Sequence, residues 1–296
     1  MPEFRHRFFF LLMKAPLYRI ASRLYAEPWL IRQDKYLSLC SQFKAATLDR
    51  SAPRLDMWSP TGQIVMPEDH CDEDALDDVE ISKGIALLEV NGILGKHLDS
   101  FDSMCGGYDI EILQQQALAL SVRADVHTVI IRYNSPGGAA AGVADCAKVL
   151  IDLAASKRLI SYVDDACSGA YWLACAAPEI YGGQSCMVGS ISAVCAIEDV
   201  SGMYAELGIT VDVFTDGDLK GAGIEGTSLS EAQRADIQSR IEHIGGMFKT
   251  FISAQRPSVP ADAMRGQWFY GDTGLDLGLI DAIAPTLQHV IALALN

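Results

Sequence analysis

Val129-Ile130-Ile131-Arg132-Tyr133 reads as a buried strand, and it runs directly into Asn134-Ser135-Pro136-Gly137-Gly138. Residues 139–155 then take up a helical pattern. A strand, a two-glycine turn and a helix in immediate succession leave few architectures open. The rest of the chain repeats the alternation. Strand patterns lie at 85–90, 159–163, 191–196 and 211–214, and helical ones at 110–122, 200–207 and 231–254. Ser228 or Ser230 is placed to cap the last helix. Strands alternating with helices predict a mixed or parallel α/β fold. No internal repeat is visible.

The same turn has chemical use. Gly137 and Gly138 free the backbone N–H groups from side-chain obstruction, and a following helix N-terminus would add positive partial charge, so the turn suits an oxyanion. A matching nucleophile stands in Asp164-Asp165-Ala166-Cys167-Ser168-Gly169-Ala170-Tyr171-Trp172. Ser168 falls between an apolar strand and an apolar helix, where a tight turn presents its hydroxyl. The Gly169 N–H is the natural second oxyanion donor. A serine hydroxyl needs a base. Only Lys220 and Lys249 follow Ser168 among the lysines, and only Lys220 lies in a Gly-rich loop. Burial would keep such a lysine neutral. Against this stand blander readings: glycines that merely permit tight turns, and a solvated loop lysine. Cys167 is a rival nucleophile, but side chains diverge on a sharp turn and only one faces substrate. His127 and His243 are rival bases, each more readily structural or solvated. Asp164 and Asp165 read as loop carboxylates.

Composition limits the partners. The chain has 296 residues, 50% of them hydrophobic, enough for one sizeable core and an appendage. A net charge of −15 argues against a general nucleic-acid binder. Residues 1–50 hold nine Lys/Arg against four Asp/Glu, whereas residues 68–80 hold eight acids and no base. Pro53, Pro60, Pro67 and that acidic run read as a linker. The expected division is a helical appendage over 1–50, a linker over 51–80 and a catalytic domain over 81–296. Six apolar residues, Phe8 to Met13, are far fewer than the ~20 of a spanning helix, and no secretory signal is convincing. The eight cysteines include no C-x-x-C pair and no zinc spacing. A reducing cytosol, no transmembrane segment, no metal and no cofactor are expected.

Asn134-Ser-Pro-Gly-Gly138, Ser168-Gly-Ala-Tyr-Trp172, Gly189-Ser190-Ile191 and Gly217-Asp-Leu-Lys220, in that order, resemble the signal peptide peptidase A family. These are serine–lysine peptidases. The resemblance covers roughly residues 81–286, and the layout is similar to that of tailed-phage capsid-maturation (prohead) peptidases. It implies a ClpP/crotonase-type fold with repeated ββα units, beside the N-terminal helical appendage. It also implies an ATP-independent endopeptidase with a Ser168–Lys220 dyad and an oxyanion hole at Gly137 or Gly138 with Gly169. The implied substrates are polypeptides, scaffold or capsid-assembly proteins, with self-cleavage among the implied activities, and the implied assembly is a homo-oligomeric ring in which a site is completed within one copy or draws on adjacent ones. Ser190 is the expected orienter of Lys220, as the third group of a triad would be, with a strand-initiating serine as the plain alternative. The strand at 190–197 lacks the histidine that ClpP-type peptidases place there. Lys220-Gly221-Ala222-Gly223 is more glycine-rich than the family pattern, which suits a loop that orders on substrate binding or on assembly. Signal-peptide degradation is a weaker reading because the expected anchor is missing. Two readings from other classes are a crotonase-type acyl-CoA binder, whose phosphates would find few cations beyond Arg132 and Lys148, and an inactive structural subunit.

Overall fold

A computed structural model describes residues 28–48, 75–98, 102 and 106–295. Strand β1 (Trp29–Ile31) leads into α1 (Gln33–Leu48), and β2 (Glu80–Ser82), β3 (Ile85–Asn91), β4 (Ile93–Gly95), β5 (Gly107–Asp109) and α2 (Ile110–Ser121) follow. Next come β6 (Thr128–Ser135), β7 (Gly137–Ala139), α3 (Val143–Ser156), β8 (Arg158–Cys167), α4 (Gly169–Ala174) and β9 (Glu179–Gly189). The remainder comprises α5 (Ser201–Glu206), α6 (Glu231–Gln255), β10 (Trp268–Tyr270), α7 (Gly271–Asp276), β11 (Ala282–Ile283) and α8 (Leu287–Ala294).

The expected mixed α/β architecture is present. The larger sheet runs β10-β9-β8-β6-β3-β2, with β11 also on β9. Its centre, β3-β6-β8-β9, is parallel, and β2 and β10 join antiparallel at the two sides. A smaller sheet runs β1-β7-β4-β5. The two sheets share one device. β3 and β6 each pass through a short break, at Gly92 and Pro136, into a three-residue strand of the smaller sheet. A helix follows each, giving a ββα unit twice over.

Packing explains the consecutive apolar runs. Val129, Ile131 and Tyr133 face one side, against Leu113, Ala117, Leu150 and their neighbours on α2 and α3. Ile130 and Ile160 face the other, against Val290 and Ala294 of α8. Both faces of the parallel strands are therefore dry. α4 is buried along its whole length, Trp172 stacking on Phe248 of α6 at 4.7 Å.

Several sequence expectations shift. The helix expected from Ala139 begins at Val143, because β7 takes the glycines into the smaller sheet. Gly137 and Gly138 thus stand on a strand, four and more residues ahead of the N-terminus of α3. Asp164 and Asp165 lie within β8 rather than in a loop. The strands expected at 191–196 and 211–214 are irregular apart from a bridge at Val194, while β9 was not foreseen. Within the expected appendage, residues 1–27 and 49–50 lie outside the described residues, as do 51–74 of the linker. The described remainder departs from it at β1, which is a buried strand of the body.

Candidate active site

β8 delivers Ser168 at its C-terminal end, and α4 starts at the next residue. Ser168 has φ 55 and ψ −120, a conformation that L-residues rarely adopt. Two hydrogen bonds hold it. Its N–H donates to the Gly189 carbonyl at 2.7 Å, and its own carbonyl accepts from the Trp172 N–H at 2.9 Å. This strained strand-to-helix turn is the geometry in which a nucleophile is lifted out of a sheet. The hydroxyl donates a long bond, 3.4 Å, to the Ser192 carbonyl, and the residue is fully buried.

The glycines converge on it. Gly137 has φ 97, and a Cβ there would stand 2.9 Å from the Cys167 carbonyl oxygen and 3.0 Å from the Gly169 nitrogen. A side chain at either Gly137 or Gly138 would strike backbone, so only glycine fits. The Gly137 N–H already donates to Ser135 Oγ at 3.2 Å.

A third element enters from far away in the sequence. β1 lies antiparallel to β7, with Leu30 opposite Gly138 and Ile31 opposite Gly137. The Arg32 N–H donates to the Pro136 carbonyl at 2.8 Å, and the Ala140 N–H to the Pro28 carbonyl at 3.1 Å. On its other side Trp29 exchanges both backbone bonds with Val194, at 2.8 and 2.9 Å. The Leu30 carbonyl oxygen lies 2.1 Å from the place a Gly137 Cβ would take and 3.2 Å from that of Gly169. Arg32 closes the arrangement. It donates to Asp165 Oδ2 at 2.7 Å and Asp34 Oδ1 at 2.6 Å, with its guanidinium 5.9 Å from the Trp268 ring centre. Burial lifts the Asp165 carboxyl above its ordinary range, against the pull of Arg32, and the carboxylates hold Arg32 charged.

The other candidates separate clearly. Burial, reinforced by Asp165, pushes the Cys167 thiol well up, which disfavours the thiolate a nucleophile requires. Asp164 is engaged by Arg132 at 2.7 Å. His127 bonds Thr128 at 2.9 Å under Gly84, and His243 is exposed on α6. Ser190 is buried with φ 54, its N–H donating to the Gln267 carbonyl. Lys220 is exposed in a turn, its N–H bonded to the Gly217 carbonyl at 3.1 Å, and no hydrogen bond joins it to Ser168 or Ser190 among the described residues. The structure therefore brings together Ser168, Gly169, Gly137 and Gly138, and leaves Lys220 outside that cluster. Tyr171 and Trp172 are core: the Tyr171 hydroxyl donates to the Leu279 carbonyl at 2.8 Å. The sequence reading missed Leu30, Arg32 and the Arg32–Asp165 link. A basic residue four places after Pro28 carries no signal of a carboxylate 133 positions on.

Several known proteins are similar to this chain. Residues 151–294 match the model of Peptidase family S49. The head-tail preconnector protein GP5 of Enterobacteria phage P21 is 33% identical over 225 residues, 73% of this chain and 44% of that protein. The probable protease SohB of Haemophilus influenzae is 29% identical, over 69% of this chain and 59% of that protein. The capsid assembly protease C of Escherichia phage lambda is 26% identical, over 71% and 49%. The chain thus spans about half the length of these curated relatives. Among solved structures, a ClpP1 mutant from Listeria monocytogenes superposes with a TM-score of 0.43 at 11% identity, over 69% of this chain and 94% of that one. Family model and relatives meet on the segment that carries Ser168, and over residues 151–294 the chain is similar to peptidase family S49.

Proposed function

We propose that the chain is an ATP-independent serine endopeptidase in which Ser168 is the nucleophile and Lys220 the base. The observation that carries this reading is the strained Ser168 turn set against Gly137, Gly138 and Gly169. Ser168 Oγ attacks the peptide carbonyl, and the base takes its proton and returns it to the leaving amine. Gly169 and Gly138 supply the N–H groups for the oxyanion. Gly138 is favoured over Gly137, whose N–H is already engaged by Ser135. Water then releases the acyl group.

Lys220 reaches the site from a neighbouring copy. Its segment exposes Met203, Leu207, Ile209, Val213, Phe214 and Ile224, with Phe214 93% exposed. An apolar arm of that kind needs a protein surface to cover it, which supports a ring in which each arm lies on the next copy. Ser190, buried one residue beyond β9, would then orient the incoming ammonium. The names of the two phage relatives support scaffold or capsid-assembly proteins as substrates. Among the described residues no helix is long and apolar enough to cross a membrane. An acyl-CoA reading is disfavoured, since Arg132 is tied to Asp164 and Glu89, and Lys148 to Asp152. Fluorophosphonate labelling with mapping of the adduct tests the assignment. Label on Ser168, lost with cleavage in Ser168→Ala and Lys220→Ala, is expected. Label on Cys167, or full turnover by Lys220→Ala, would overturn it.

A further inference from the structure

The geometry points to residues 28–32 as an internal substrate: the Leu30–Ile31 peptide bond is the bond this chain cuts in itself, and Asp165 selects a basic side chain two places beyond the cut. The inference rests on the reading of Ser168 as nucleophile and says what that nucleophile acts on.

An extended peptide bound for attack needs three things. Its backbone must be held on both sides, its scissile carbonyl must lie at the oxyanion donors, and its flanking side chains must have places to go. Residues 28–32 meet all three. The segment's main chain is bonded to β7 on one side and to Val194 on the other. Leu30 is the residue whose carbonyl oxygen sits against Gly137 and Gly169. Its register partner is Gly138. Its side chain is fully buried in the main core, with Leu94 nearby, while Trp29 and Ile31 turn to the opposite face against Tyr36. Two residues past that carbonyl, Arg32 is only 4% exposed and its guanidinium meets Asp165, which is itself 8% exposed. Asp165 lies on β8, three residues before Ser168, which follows directly on that strand, so the carboxylate and the nucleophile are closely spaced along one element. A buried carboxylate facing the groove recognises a cation and rejects an apolar or acidic side chain, which would leave its charge unpaired.

The step balances. Ser168 Oγ bonds to the Leu30 carbonyl carbon, the bond from that carbon to the Ile31 nitrogen breaks, and the proton leaving the serine passes through the base to the Ile31 amine. Water hydrolyses the ester, leaving one chain that ends in the Leu30 carboxylate and another that begins with the Ile31 amine.

The test uses the full chain. Purified protein is followed over time by intact mass and N-terminal sequencing, with fluorophosphonate labelling and cleavage of a generic peptide measured in parallel. A species beginning at Ile31 is expected in the wild type and not in Ser168→Ala. Arg32→Ala should slow its appearance about tenfold or more, and Arg32→Lys should restore most of the rate. Asp165→Asn should slow it likewise. It should also remove a preference, among synthetic peptides, for arginine over norleucine two places after the cut. A protein that labels at Ser168 and cuts peptides, yet stays intact between Leu30 and Ile31 or shows no such preference, overturns the inference and leaves the peptidase reading standing. A protein that neither labels nor cuts overturns both.

Discussion

A serine at φ 55 is held in a backbone conformation that costs about 1–3 kcal/mol, and surrounding bonds must keep it there. Glycine would bear the same conformation without strain. Ser168→Gly should therefore raise stability over Ser168→Ala by about 1 kcal/mol in urea unfolding, while both lose peptidase activity by several orders of magnitude. Gly137→Ala should differ in its effect on stability. Its new Cβ would meet the Leu30 carbonyl at 2.1 Å, so both stability and cleavage should fall. The cysteines give a third check. Burial pushes the Cys146, Cys175 and Cys186 thiols up to about 12 from an ordinary value of 9.0. A folded value above the unfolded one favours the fold below pH ~9 and is progressively lost as pH rises toward 12. Iodoacetamide at pH 8 should leave these three unmodified in the native chain, and the midpoint of urea unfolding should drop between pH 9 and 11. The turn at Ser168, with its small neighbours and following glycine, was legible in the sequence because its signal is local. Asp165 was not, because its meaning comes from Arg32.

Elements divide the same way. α6 was readable to within a residue or so because its signals are contiguous: Ser230 accepts from the Gln233 N–H at 3.2 Å and Gln233 reaches back to Ser230 at 3.0 Å. Ser230→Ala should cost about 1 kcal/mol. Phe248→Ala, which removes the ring stacked on Trp172, should cost about 3–5 kcal/mol by denaturant titration. β9 was unreadable for a physical reason. Gly182, Gly183, Gln184 and Ser185 interrupt any apolar alternation, and the strand exists because β8 lies beside it, with a register shift between Val163 and Asp165. β7 was read as a turn leading into a helix from Ala139, because Gly-Gly-Ala carries no preference strong enough to resist two flanking strands.

At the scale of the molecule, the parallel α/β body followed from alternating strand and helix patterns, whereas the position of Lys220 relative to Ser168 did not, since sequence order does not say which copy supplies a side chain. Mixing inactive Ser168→Ala with inactive Lys220→Ala tests this directly. Complementation to about a quarter of wild-type turnover is expected when the arm crosses between copies, and none when both residues belong to one chain. The grip on residues 28–32 has a wider consequence. Beside the side-chain contacts of Trp29, Leu30, Ile31 and Arg32, the segment is held by a run of main-chain bonds on both of its edges. Once it departs, β7 becomes an unsatisfied border of a sheet, with amides and carbonyls that any unfolded polypeptide can match. Such a border discriminates foldedness before it discriminates letters, so a protein built this way would spare finished, compact structures and consume whatever remains loose among them.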